Sequence, residues 1–214
     1  MTVSPKLING GIVTLDAAGT VLRVIALQYN PDTLTRSMQV QATDTGGTDR
    51  SEALRLKGPA VETVNLDTEL DLTDALEHPG TNPGAGQVGL HPQLAALEGL
   101  INPTTATLST NDMLARAGTL EIIPMQTPLT LFVWSRHRIV PVRITQLTIT
   151  EEAFDAALNP IRAKVTLGMR ILTVNDLGFD HPGGAIFLTY LRTAEQLADR
   201  SQGTLGQLGI TAIG

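Results

Sequence analysis

The chain has 214 residues, 42% of them hydrophobic and only 3% aromatic, with a formal net charge of −6 and no cysteine. That length and apolar content suit one sizeable domain with a core of Val, Ile, Leu and Ala, and the missing thiols exclude disulfides, thiolate metal sites and cysteine nucleophiles. The acidic balance argues against a generic nucleic-acid binder, which needs surplus Lys and Arg to neutralise phosphates.

The opening MTVSPKLINGG lacks a basic segment followed by an apolar run, so no signal peptide is expected. No stretch reaches about eighteen uninterrupted apolar residues, so no membrane-spanning helix is expected either. Residues 1–19 read as an N-terminal arm and first strand. TVLRVIALQY (20–29) carries apolar residues on both faces, the pattern of a strand covered on both sides. NPDTLTRS then interrupts the strand pattern. Pro31 fixes its own φ and holds Asn30 extended, which ends the strand. Asp32 and Thr33 can bond nearby backbone, Leu34 serves as an apolar anchor, and Arg36 is expected to point outward as a donor. SMQVQAT follows as a half-buried strand with Met38, Val40 and Ala42 on one face.

TDTGGTDRSE (43–52) is a Gly-rich loop. TVNLDTELDLT alternates strictly: Val64, Leu66, Thr68, Leu70 and Leu72 oppose Asn65, Asp67, Glu69 and Asp71. HPGTNPGAGQVG (78–89) reads as a second long loop. PQLAALEGLI (92–101) has helical spacing, with Pro92 suited to a first helical position. PLTLFVW, SRHR and IVPV form a hairpin, and Pro141 is expected at an edge or bulge. TEEAFDAALNP opens like a capped helix that Pro160 cuts short. IRAKVTLGMRI alternates again, Ile161 through Ile171 opposing Arg162, Lys164, Thr166, Gly168 and Arg170. A short helix is expected in YLRTAEQLADR (190–200), and a tail from 196 to 214. The fold class is mainly β, an antiparallel sandwich or barrel of roughly six to nine strands with one clear helix and a short C-terminal helix.

Little in the sequence carries chemistry. His78, His91, His137 and His181 are scattered and no HExxH occurs, so no zinc site is indicated. GAGQVG lacks the Lys-Ser/Thr of a P-loop, and no GxSxG is present. Asp67, Glu69 and Asp71 form a flat row with steps of about 7 Å, whereas calcium needs a wrapped loop. No catalytic, cofactor or metal site is assigned, and no enzyme is expected. The acidic row and the basic row (Arg162, Lys164, Arg170) are the sharper feature. They can meet on neighbouring strands or across a subunit boundary.

LQYNPDTLTRSMQ resembles the N-terminal signature of tube-protein-like baseplate components of extracellular contractile injection systems, of which the antifeeding prophage and the Photorhabdus virulence cassettes are examples. LKGPAVETVNLDTELDLTDALE, GLHPQLAALEGLINP and LFVWSRHRIVPVRITQLTITEEAFDAALNPIRAKVTLGMRIL resemble further blocks, covering roughly residues 20–195. The resemblance implies a phage tail-tube fold assembled as a hexameric ring that joins the spike to the tube and helps initiate tube assembly. Its implied partners are further copies of itself, a spike protein trimer, an inner tube protein or second tube initiator, and baseplate wedge proteins. It implies assembly in the bacterial cytoplasm and release by lysis, with no cofactor. Ser135 stands where the family often has Gly. Spike adaptors often continue into a LysM module, which this sequence does not show before Gly214, so the axial ring stays open. The resemblance places Asn30, Pro31, Leu34 and Arg36 at a subunit or ring boundary, and the two charge rows are candidates for the same interface. The rivals are a β-sandwich module binding carbohydrate or protein, for which one Trp and two Tyr are a poor supply, and, behind it, a hydrolase.

Overall fold

The computed structural model describes residues 9–42, 55–77, 80, 85–118, 127–201 and 203–213. The loop expected at 43–52, His78 and most of the N-terminal arm lie outside these residues. Strands β1 (Gly11–Leu15), β2 (Val21–Ala26), β3 (Leu34–Gln39), β4 (Val61–Asp71), β5 (Leu129–Ser135), β6 (Arg138–Phe154) and β7 (Pro160–Ile171) form one sheet. Its order is β2-β1-β5-β6-β7-β4-β3, and every pairing is antiparallel. The alternating sequences behave as their period demands. Val64, Leu66, Thr68, Leu70, Ala163, Val165, Leu167, Met169 and Ile171 are all buried.

The expected sandwich or closed barrel is replaced by an open, rolled sheet. Strands β2 and β3 are its two opposite edges, yet they are consecutive in sequence. A flat seven-stranded sheet spans about 29 Å edge to edge at about 4.8 Å per spacing. Residues 27–33 could barely reach across it fully stretched. They do not need to, because the sheet curls. Leu27 N–H donates to the Gly10 carbonyl at 2.8 Å, while the Tyr29 carbonyl accepts from Thr68 Oγ1 at 3.3 Å. The polar interruption is therefore no hairpin turn but a crossover from one edge of the sheet to the other.

Six α-helices, α1 (Thr73–Glu77), α2 (Ala85–Val88), α3 (His91–Glu98), α4 (Thr105–Arg116), α5 (Val174–Leu177) and α6 (Pro182–Ala198), and a 3₁₀ helix at Leu205–Leu208 complete the described fold. Leu94 and Leu97 of α3 and Phe187 of α6 enter the same core as Phe132 and Val140. Thr173 and Asp176 form a capping box on α5, and His181 Nδ1 caps α6 by accepting from Gly183 N–H at 3.0 Å.

Several expectations are corrected. The single clear helix has company in α4 and the long α6, and GAGQVG contributes α2 rather than a plain loop. TEEAFDAALNP is not a helix, because the strongly alternating β7 claims it as a hairpin partner with Glu151 opposite Ala163 and Phe154 opposite Pro160. Pro141 sits in a central strand, not at an edge. Its carbonyl accepts from Leu172 N–H at 2.8 Å, so the bond that proline cannot return falls just past the end of β7, at Ile171, and the ladder itself is not interrupted. Strand β2 is an edge, not doubly covered, with Val21, Leu22 and Val24 exposed. Met38 and Val40 are exposed as well, since β3 is the opposite edge.

Candidate functional site: the crossover and the charged strand face

The first half of the crossover is pinned to both sides of the sheet by side-chain bonds to backbone. Asn30 Oδ1 accepts from Gly10 N–H at 2.9 Å. Gln28 makes a two-way bond with the end of β4: its Nε2 donates to the Asp71 carbonyl at 2.6 Å and its Oε1 accepts from Asp71 N–H at 2.9 Å. Beneath the crossover lies an open cleft of about 670 Å³, walled by Tyr29, Asn30, Pro31 and Asp32 on one side and by Asp67, Glu69, Lys164 and Thr166 on the other. Two groups singled out from sequence, the corner and the charge rows, thus meet at one place.

The two rows are neighbours within one chain. Glu69 stands directly opposite Lys164, and Asp71 opposite Arg162. Arg162 holds Asp71 at 2.8 Å, Lys164 holds Glu152 at 2.9 Å, and Arg170 holds Asp176 at 2.7 Å. Thr166 Oγ1 donates to Asp67 at 2.6 Å. The cross-strand pairs, Arg162 with Asp71 and Lys164 with Glu152, fix register more than they add stability at this exposed face.

Asp71 is held below the usual carboxylate range, first by the Thr73 hydroxyl and backbone N–H and then by Arg162. Asp155 is lowered chiefly by Asn159. Burial pushes Asp176 up, but bonds from Thr173 and the charge of Arg170 outweigh it and leave it lowered. These carboxylates are stabilised as anions, the reverse of what a general acid needs. A lowered folded-state value means stability present at neutral pH and lost as pH falls below the unfolded value near 4. The urea midpoint is therefore expected to fall between pH 6 and pH 3. Asp71→Asn should flatten that dependence, and an unchanged slope in this variant would remove Asp71 from the account.

Leu34 packs against the core as an anchor should. Arg36 differs from expectation. Rather than pointing outward, it turns in to pair with Glu62 and donates from its guanidinium to Tyr190 Oη at 2.7 Å. Glu62 is buried, and sequence reading passed over it. Its parity carried the signal, since Glu62 falls on the same face of β4 as Val64 and Leu66.

Among the described residues, no group of three or more His, Asp or Glu is placed to hold a metal ion, and no helix is long and apolar enough to cross a membrane. No family model and no curated protein matches this sequence. Among solved structures, a chain of the virion of a native gene transfer agent particle is similar at 11% identity and a TM-score of 0.28, covering 80% of this chain and 95% of that one. A chain from the tail of an empty gene transfer agent particle, computed with C6 symmetry, is similar at 15% identity and a TM-score of 0.30, covering 76% and 90%. Likenesses at these identities and TM-scores assign this chain no function.

Proposed function

We propose that this chain is a non-enzymatic structural ring component of a phage-tail-like contractile injection particle, with a phage tail-tube fold, at the junction of spike and inner tube. The observation that carries the ring is the pair of unlike sheet edges. Strand β2 exposes Val21, Leu22 and Val24, and β3 exposes Met38. A head-to-tail interface needs two different surfaces on each copy, and two dissimilar edges with exposed apolar side chains supply them. The resemblance of the sequence blocks supplies the particle, the hexameric count and the partners: spike trimer, inner tube or second initiator, and wedge proteins.

In this reading Asn30, Pro31, Asp67, Glu69 and Lys164 present the cleft to a neighbour. Leu34, Arg36, Asp71, Arg162 and Arg170 hold the surfaces that frame it. The carbohydrate-module alternative is weakened by the aromatic placement, because Trp134 stacks on Phe132 at 5.8 Å and Tyr190 is tied to Arg36, which leaves Tyr29 alone exposed at the cleft.

Glu69→Lys puts a second cation beside Lys164 and should cost the fold no more than about 1 kcal/mol. Electron microscopy of the protein assembled on its spike should show six-fold rings, fewer of them for Glu69→Lys. Three or twelve copies per layer would overturn the six-fold count, and normal ring yield for Glu69→Lys would remove this cleft from the interface.

A further inference from the structure

The β6–β7 hairpin ends in a turn that is more tightly built than a solvent loop requires. Asp155 N–H donates to the Asn159 carbonyl at 3.0 Å, and Leu158 N–H donates to the Asp155 carbonyl at 3.1 Å. The Asp155 carboxylate accepts from Ala157 N–H, Asn159 N–H and Asn159 Nδ2, each at 2.8 Å. Asn159 Nδ2 also reaches the Gln87 carbonyl at 3.3 Å. This is a turn followed by a bulge residue in the left-handed region, the position that favours glycine.

The residue there is Leu158, with φ of 63°. A branched apolar side chain in that conformation is strained, and this one gains no burial in return, being 77% exposed. Phe154, at the end of β6 and opposite Pro160 across the hairpin, is 49% exposed. Folding alone would favour glycine at 158. A rigid turn holding a strained leucine and a phenylalanine in water is instead arranged to fill something.

A socket exists on the same chain. A cleft of about 660 Å³ is lined by Leu100, Ile101, Leu129, Ile144 and Leu177, together with the polar side chains of Arg143, Asp176 and His181. Arg143 lies opposite Arg170 in the β6–β7 register, and Arg170 is already neutralised by Asp176. Among the described residues Arg143 has no carboxylate partner, and neither has the exposed Glu151 an ion-pair partner at the hairpin end. The socket begins near Ile144 and the tip lies at Phe154 of the same strand. Ten residues of strand separate them by about 30 Å, so tip and socket cannot meet within one chain.

We propose that the hairpin tip, Phe154 and Leu158, seats in the Leu100–Ile101–Leu129–Ile144–Leu177 cleft of a second copy of this chain, with Glu151 against that copy's Arg143. The apolar prong meets the aliphatic wall of the cleft, whose Asp176 is already held by Arg170, and Glu151 meets Arg143, neither with an ion-pair partner among the described residues. Two different patches on each copy make the contact head-to-tail. This contact does not depend on the tail-particle reading.

The chain is free of cysteine, which makes a clean test. Leu158→Cys and Ile101→Cys proteins, mixed under mild oxidation, should form a disulfide-linked heterodimer. Leu208→Cys, mixed with either, should not. Leu158→Gly should raise the self-association constant for dissociation at least tenfold by sedimentation, with an unfolding midpoint equal to wild type or higher because the turn relaxes. Wild type that stays monomeric at its highest soluble concentration overturns the proposal. So does Leu158→Gly associating like wild type, or the Leu208→Cys mixtures linking as readily as the matched pair. Leu158-dependent oligomers that are not rings would sink the ring reading and leave this contact standing.

Discussion

Arg36→Ala is expected to destabilise the protein by about 3 kcal/mol, measured as a shift in the denaturant midpoint. The magnitude follows from what the substitution leaves behind. Glu62 is 6% exposed on the inner face of β4, where its carboxylate is met by the Arg36 guanidinium and, at 3.5 Å, by the Tyr190 hydroxyl. Removing the cation strands a carboxylate in a site with little water, and that costs far more than the pair itself contributes. The side chain of Arg36 is 26% exposed, so some solvent reaches Glu62 once it is gone, which keeps the figure at the low end of the range for buried pairs. Removing both charges should be much milder: Arg36→Met with Glu62→Leu is expected to recover most of the loss. A double variant as unstable as Arg36→Ala alone would show that packing, not the stranded charge, sets the cost. Tyr190→Phe should cost about 1–2 kcal/mol, because the hydroxyl both accepts from Arg36 and donates to Glu62.

That pair also shows where the sequence was readable and where it was not. Strict alternation in β4 and β7 located two strands, their buried faces and their charged faces, because burial of one face leaves period two no other solution. Parity in β3 and β4 sets Arg36 on the face of Leu34 and Glu62 on the face of Val64, yet Arg36 reads as an outward donor, because a single polar residue in an apolar row is legible only once its partner is known. Pairing of β3 with β4 sets Met38 opposite Glu62 and Arg36 opposite Val64, a contact between segments 26 residues apart. The hairpin at Asp155–Asn159 was hidden for another reason. Thr150 followed by two acids satisfies the local rule for a helix start, and only the long-range demand of β7 for a partner overrides it. The cleft under the crossover was half legible. Its two walls were marked by Pro31 and by the acidic row, but their meeting depends on how far the sheet rolls, and no local pattern encodes that.

The second large effect is expected at Gly184. A Cβ built there would lie 2.0 Å from the Gly178 carbonyl oxygen and 3.2 Å from the carbon that bears it. Both are backbone atoms at the C-terminal end of α5, where Gly178 adopts φ of 83° and its N–H is bonded to Val174. Neither can swing aside as a flexible side chain would. Gly184→Ala must therefore push α6 off α5, and α6 carries Phe187 into the core and Tyr190 to the Arg36–Glu62 pair. Alanine gains about 1 kcal/mol in helix propensity over glycine, which works in the opposite direction and is the smaller effect. The expected result is a net loss of about 3 kcal/mol or more, the range reached when a buried backbone contact is overpacked. The comparison that isolates the mechanism is Gly206→Ala, where a Cβ meets only the Thr204 hydroxyl at 3.8 Å. It should leave the unfolding midpoint within about 0.5 kcal/mol of wild type. If Gly184→Ala proves as harmless, α6 does not rest on the Gly178 carbonyl. The tie from α6 through Tyr190 to the β3 edge would then lose its anchor.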